Sequence, residues 1–567
     1  MSDRSKRILN LALSQHVDDS DSYESEDSDD SLIDKNYNPS TDDSDSQDVD
    51  EGEDEVIEDV IDKEVQQAQG VDTISATSWS SVKTSDPLFA NFCNKNDSPN
   101  IPPDIQSPLQ FFKLMVNDNI INDMVFQTNK YAEVLLRNSI KKNARIRQWV
   151  STDSNEMLSF FAVLLSMGVA ELPKLNLYWS KDPLYQNKFI SSIISRDRFL
   201  LLLKCWHFAD NSLDDNSKRL YKLQPLSDQL LLNFKEHMIP GESLVIDESM
   251  VPWRGRLKFR QYIKNKSSKY GVKLYKLCTT SGYTLNLKVY AGKGDTTPGK
   301  SHAESIVDHL LSEYYGKGHT LYCDNYYTSY KLAEKLLTVN TRLCGTVRKN
   351  SKYLCSEVVK RKLRRGEIIG AQNESIKFIK WLDKRPVLML TTCESHDDVL
   401  HDTGKLIKEL PVKKPNCVLD YNLAKKGVDY SDQMSSYQSP LRKGVKWYRK
   451  VAVELLFGTA VINSWILYNS KFPNNRMPIL NFRDNLIKAL VSSTPSRPRT
   501  SKRIHTLAES GPENKKRRKC SGCYKNLRKE FSSRVADNKV KKVYTFCIEC
   551  EGQPAYCLKC FNESHNT

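Results

Sequence analysis

The apolar pattern of this chain changes period at Gly241, and that change constrains the fold more than any other feature. Upstream, Leu109, Phe111, Phe112, Leu114 and Met115 begin an amphipathic helical pattern at Pro108, and Met157–Gly168 and Arg196–Phe208 read as buried helices. Downstream, Ser243–Ile246, Lys273–Thr279, Thr284–Tyr290 and His319–Cys323 are short strand-like runs punctuated by Gly282, Gly292 and Gly294. Helical patterns over His302–Tyr315 and Ser329–Leu337 then alternate with them, which is an α/β signal. Ile376–Trp381 and Pro386–Thr392 add strands, and helix returns over Val428–Tyr437 and Trp447–Ser470. The apolar run Val451–Tyr468 contains Glu454, Asn463 and Ser464 and is followed by a polar, Pro-containing stretch. It reads as a buried helix and not as a membrane span.

Charge divides the chain in two. Its 567 residues carry a net +14, yet residues 1–70 hold 23 Asp and Glu against 5 Lys and Arg. The remainder is therefore strongly basic, and a basic body of this size points to a polyanion, most simply nucleic acid. The acidic stretch reads as a disordered, self-repelling tail in which Ser22, Ser25, Ser28 and Ser44 suit acidophilic kinases. Met1–Gln15 is basic and only weakly apolar, unlike a secretory signal.

Two aspartates follow strand-like runs directly: Asp247 after Ser243–Ile246 and Asp324 after Thr320–Cys323. Strand ends are where α/β sheets gather ligands, and two such carboxylates on neighbouring strands would make a hard-oxygen pocket suited to Mg²⁺ or Mn²⁺. Asp429 and Asp432 stand three apart, on one face of a helix beginning near Val428. Taken singly, each Asp also suits a turn or a helix cap.

Between these carboxylates runs PWRGRLKFRQYIKNKSSKYGVKLYK, residues 252–276, in which cations alternate with aromatic rings. Arg254, Arg256, Lys258, Arg260, Lys264, Lys266 and Lys269 suit phosphates, and Trp253, Phe259, Tyr262 and Tyr270 suit bases. A solvated hairpin is the competing reading. Arg348 and Lys349 form a smaller basic patch after an apolar run.

Six of the 14 cysteines crowd into the last 48 residues as three CxxC pairs, Cys520/Cys523, Cys547/Cys550 and Cys557/Cys560, followed by His565. This is a zinc pattern and not a secreted disulfide framework. Seven ligands exceed one tetrahedral site and fall one short of two, with His505 the nearest upstream candidate for the eighth. A cross-braced arrangement would put Cys520, Cys523, Cys557 and Cys560 on one zinc, and Cys547, Cys550, His565 and His505 on the other. Lys515–Lys519 is a nuclear-localisation or phosphate-binding candidate.

Together VIDESMVPWRGRLKFRQY, KYGVKLYKLC, YCDNYYTS, CGTVRKN, DYNLAKKGVDYSDQM and the terminal CxxC series closing on CLKCFNESH resemble the piggyBac-family transposases, from about residue 108 to the end of the chain. The resemblance implies an RNase H-like catalytic domain with a DDD triad at Asp247, Asp324 and Asp429 holding Mg²⁺ or Mn²⁺, and a further functional carboxylate at Asp432. It implies cut-and-paste transposition at TTAA sites, contact of double-stranded DNA by Arg348, a homodimer, and a C-terminal zinc module on the transposon end. The expected layout is an acidic tail over 1–105, helical dimerisation and DNA-binding segments over 106–241 and 439–493, catalytic segments over 242–350 and 416–438, an insertion over 351–415, a basic linker over 494–519 and the zinc domain over 520–567. The expected location is the nucleus, with no membrane partner. The competing functions are a domesticated, non-catalytic nuclear DNA- or chromatin-binding protein and a nuclear adaptor that uses the zinc module for protein contacts.

Overall fold

The structure is a computed structural model that describes residues 78–84, 95–139, 144–214, 217–263, 269–292, 296–407, 410–442, 444, 446–492, 507–509, 517–548, 550 and 552–565. The acidic stretch, Lys264, Lys266, Lys515, Lys516 and His505 lie outside the described residues. The chain divides into two units, 1–493 and 494–567.

In the first unit the helices begin where their caps dictate. Ser107 and Gln110 form a capping box before Pro108–Met115, Asn117 and Asp153 cap Asp118–Arg137 and Ser154–Val169, and Ser301 and Glu304 form a second box before His302–Leu311. Each cap oxygen satisfies an otherwise orphaned N–H in the first turn. Pro108–Met115 packs against Ala460–Lys471, and Ser154–Val169 against Ile479–Ser492, so helices from both ends of this unit share one core.

The strands are β1 (Ser98–Pro99), β2 (Met238–Ile239), β3 (Ser243–Pro252), β4 (Gln261–Tyr262), β5 (Tyr270–Thr279), β6 (Thr284–Val289), β7 (Thr320–Cys323), β8 (Arg342–Thr346), β9 (Ile368–Asn373), β10 (Ile376–Leu382) and β11 (Pro386–Thr391). A nine-stranded sheet runs β4–β5–β3–β7–β8–β11–β10–β9, with β6 also on β5. β3, β5 and β6 are antiparallel, β3, β7 and β8 are parallel, and β8 through β9 are antiparallel again.

Two boundaries differ from expectation. Three strands of the expected insertion over 351–415 extend the main sheet, because β11 pairs with the free edge of β8. The hairpin of β12 (Leu400–Ile407) and β13 (Leu410–Pro415) forms its own two-stranded sheet. Ordered contact also begins well before residue 105. Trp79 packs edge-on against Tyr330 and Phe378, Ser80 exchanges backbone hydrogen bonds of 2.8 Å with Gln372 on edge strand β9, and β1 pairs with β2. The large ring supplies enough buried area to anchor an otherwise polar segment.

Trp447–Lys471 is long and apolar enough to cross a membrane, but its apolar window is wholly buried inside this unit. Its middle turn, Glu454–Thr459, is π-helical. Just beyond it Asn463 exchanges two 2.9 Å hydrogen bonds with the backbone of Thr284 at the start of β6.

Candidate active site and metal centres

Asp247 and Asp324 occupy adjacent positions in the sheet. The parallel pairing of β3 and β7 ends at Ile246 and Cys323, so these two aspartates are the next residue on each chain. Asp247 does not close its strand as the sequence suggested. It is the fifth residue of ten in β3, which continues because β5 supplies antiparallel partners as far as Gly271 after β7 has ended. Its Oδ1 accepts the Glu248 N–H at 2.7 Å.

Asp324 opens a tight turn. Its Oδ1 accepts the Tyr326 N–H at 2.9 Å, and its carbonyl accepts the Thr328 N–H and hydroxyl at 3.1 and 2.8 Å. Burial is the largest influence on its carboxyl and pushes the pKa above the usual range. The Tyr326 N–H opposes the rise, the Glu248 carboxylate adds to it, and Arg348 and Lys273 pull it down. Glu248 therefore bears on the site, a role hidden in the sequence by its place beside Asp247.

The helix Lys426–Ser436 lies on β3 and β5 and carries the other two carboxylates. A methyl added at Gly427 would stand 2.4 Å from the Thr279 carbonyl oxygen, so only glycine allows this approach. Asp429 is exposed in the first turn. Asp432 accepts a 2.8 Å hydrogen bond from Nζ of Lys276, a lysine with no exposed side-chain surface. Burial works against the Lys276 ammonium, but Asp432 and then Glu454 hold its pKa above the ordinary lysine range. Asp432, expected as a further functional carboxylate, is thus engaged by an internal cation. Among the described residues, Asp247, Asp324 and Asp429 are not gathered into a set whose ligand oxygens all lie within 4.8 Å of one another. As an all-carboxylate donor set they suit a hard divalent cation by chemistry.

Arg254, Arg256, Arg260, Lys269, Arg348 and Lys349 are all exposed. Tyr262 and Tyr270 pair across β4 and β5 with rings 4.8 Å apart and remain 43% exposed. The Arg260 guanidinium lies 5.1 Å over Tyr270 and donates to the Arg254 carbonyl at 2.8 Å, closing the loop between them. Arg348 Nε donates to Asn325 Oδ1 at 3.3 Å, which sets it beside the Asp324 turn. Lys273, read from the sequence only as the start of a strand-like run, stands over the rings of Tyr275 and Tyr326 at 4.9 and 5.1 Å.

In the second unit the cysteines gather in the two cross-braced sets. Cys520, Cys523, Cys557 and Cys560 form one, and Cys547, Cys550 and His565 the other. Cys523 Sγ lies 3.8 Å from Cys557 Sγ and 3.6 Å from Cys560 Sγ. A tetrahedron with zinc–sulfur bonds of about 2.3 Å has edges of about 3.8 Å, so the donors fit that ion. Cys520 precedes the helix Ser521–Glu530, while the helix Leu558–His565 carries Cys560 and ends at His565. Strand pairing of Leu507–Glu509 with Thr545–Cys547, and of Arg518–Lys519 with Lys542–Val543, joins the sets.

The family model described as Transposase IS4 matches residues 107–465. The chain belongs to the piggyBac family of transposases. It is similar to the human PiggyBac transposable element-derived protein 3, 26% identical over 455 residues that cover 74% of this chain and 73% of that protein. The human PiggyBac transposable element-derived protein 2 is 27% identical over 418 residues, 70% of this chain and 68% of its own. Among solved structures, a piggyBac transposase in a synaptic complex with hairpin DNA superposes with a TM-score of 0.61 at 26% identity, covering 81% of this chain and 98% of that one.

Proposed function

We propose that this chain is a cut-and-paste DNA transposase acting at TTAA sites, with Asp247, Asp324 and Asp429 as its metal-binding carboxylates. The observation that carries this reading is the adjacent placement of Asp247 and Asp324 at the end of the β3–β7 parallel pairing, under the helix that bears Asp429. The mixed sheet, an antiparallel β6–β5–β3 meander continued by parallel β7 and β8, supports an RNase H-like catalytic domain. A bound Mg²⁺ or Mn²⁺ would activate water and stabilise the leaving 3′ oxygen in phosphodiester hydrolysis and the strand transfer that follows.

The protein's own groups orient the reactants. The Tyr326 N–H fixes one oxygen of Asp324, while Arg348 and Lys273 offset the negative charge that Glu248 and Asp324 accumulate. Arg254, Arg256, Arg260 and Lys269 hold the DNA backbone through phosphates, with Tyr262 and Tyr270 offering ring faces to bases. The two thiolate-rich sets suit structural zinc, and the module they fold grips the transposon end. The protein works as a homodimer in the nucleus. The experiment is end cleavage of a DNA carrying the element's inverted repeats and TTAA flanks with Mg²⁺ or Mn²⁺, against Asp324→Ala. Equal cleavage by both proteins would overturn the assignment.

A second reading is a DNA- or chromatin-binding protein without catalysis. It is favoured by the engagement of Asp432 with Lys276 and by the absence, among the described residues, of a set that brings the ligand oxygens of all three carboxylates within 4.8 Å of one another. Sequence-specific end binding by a wild-type protein that never cleaves with either metal would select it.

A further inference from the structure

Lys276 sits in β5 directly opposite Asp247 of β3. Residues directly opposite in an antiparallel pair project from the same face of the sheet. The helix Lys426–Ser436 covers that face, with Val428 in a buried core shared with Val245 and Cys278, and makes three further contacts with the sheet. Gly427 closes on the Thr279 carbonyl, Ser431 Oγ meets Thr284 Oγ1 at 3.4 Å, and Asp432 takes the Lys276 ammonium at 2.8 Å. Asp429 lies between the first of these contacts and the other two. One turn beyond Asp432, Ser435 Oγ donates to Glu454 Oε1 at 3.2 Å, tying the same helix to the π-turn of the long buried helix.

A buried ion pair is a poor source of stability, because apolar residues of the same volume often do as well or better. Its best-attested value is to fix one register among several. We propose that Lys276 is a positioning residue: by holding Asp432 it fixes the rotation and height of the helix Lys426–Ser436, and so sets where Asp429 stands relative to Asp247 and Asp324. The inference rests on the functional reading above and assigns Asp432 to anchoring, not to the metal. π-Turns cluster at functional sites, where an extra residue redirects a side chain. Here the turn brings Glu454 to the far end of the same anchor.

The test uses zinc-loaded full-length protein and Mn²⁺ as the probe, read by electron paramagnetic resonance, together with end cleavage and a thermal melt. Asp429→Asn identifies the Mn²⁺ signal that belongs to the carboxylates. Lys276→Met leaves the Asp432 carboxylate half-buried without its partner, so Lys276→Met/Asp432→Asn serves as the variant in which Asp432 brings no unpaired charge, while Glu454 keeps the nearby Arg483 charge. Lys276→Met is expected to weaken Mn²⁺ binding at that site and to slow cleavage by about 10–100-fold, as loss of an outer-shell partner does. The double variant should lose no more than the worse single. Wild-type Mn²⁺ affinity and cleavage in Lys276→Met, even with a lowered melting temperature, would overturn the proposal. So would losses that multiply in the double variant, since Lys276 would then not act through Asp432. A wild-type protein that neither shows the Asp429-dependent Mn²⁺ signal nor cleaves would instead overturn the functional reading, and this inference with it.

Discussion

Cys550 Sγ stands 3.2 Å from His565 Nε2, and the other ring nitrogen of that histidine is held 3.0 Å from the Phe561 carbonyl oxygen. Nδ1 is thus the N–H donor and Nε2 presents its lone pair to the sulfur, the tautomer a metal-ligating histidine needs. The buried core around Cys520, Cys557 and Cys560 contains few apolar side chains, so metal is expected to supply most of the folding free energy of this module. Metal analysis of the purified protein should return two zinc ions per chain. Chelation should make residues 517–565 protease-sensitive while the body survives. A chain free of zinc would exclude this account, and a single zinc would strike His505 from the ligands.

Replacing Asp247, Asp324 or Asp429 by Asn should lower end cleavage by ~10³-fold, a loss of about 4 kcal/mol of transition-state stabilisation. DNA affinity should stay within about twofold of wild type, because phosphate contacts dominate it. Gel-shift and cleavage assays on the same preparations separate the two effects.

Neutralising Arg254, Arg256 and Arg260 together should weaken DNA binding about equally for all sequences. The slope of log K against log salt should flatten by ~1 per lost phosphate contact. Arg260 also closes its own loop through the Arg254 carbonyl, so Arg260→Gln should cost some local order that Arg254→Gln and Arg256→Gln do not. An unchanged salt slope in the triple variant would remove this segment from the DNA interface.

Asp324 carries a stability cost at neutral pH. Burial raises its folded pKa above the unfolded value, so the folded state prefers the protonated acid. That preference favours folding at low pH. It is lost as pH rises from the unfolded pKa through the folded one, and above that the ionised carboxylate destabilises the fold. Asp324→Asn should therefore raise the melting temperature at pH 7 in metal-free buffer, with the gain shrinking toward pH 4. A lower melting temperature at pH 7 would mean that Arg348, Lys273 and the Tyr326 N–H outweigh burial.

What could be read from the sequence was local. The helical patterns beginning at Pro108, Arg196 and His302 match helices that start there, and the runs before Asp247 and Asp324 show their strands because four consecutive residues are apolar or uncharged. The cysteine spacing also marks the metal ligands, while which pairs share a site is decided by the fold. Non-local information was lost. That β3 runs on past Asp247 depends on β5, and that the strands after Ser351 join the main sheet depends on a free edge of β8. Lys276 looked like one more cation in a basic run; only its position opposite Asp247 and beneath Asp432 makes it a buried group. Trp79 lies in a polar neighbourhood, and its partners Tyr330 and Phe378 are some 250 and 300 residues away.

The π-turn at Glu454–Thr459 gives the long buried helix one residue more than a regular spiral would hold over the same rise. Deleting a single residue there would let the turn relax to α-helix without breaking the chain. Everything beyond would keep its place around the axis, since only the extra residue is lost. Asn463 would still meet the Thr284 backbone, whereas a deletion in the regular helix between the turn and Asn463 would carry it about 100° away, the angle each α-helical residue advances. The turn can thus absorb the loss of one residue where the regular helix beyond it cannot, and copies of such a gene shortened in that flank would lose the alignment of helix and sheet while keeping every aspartate.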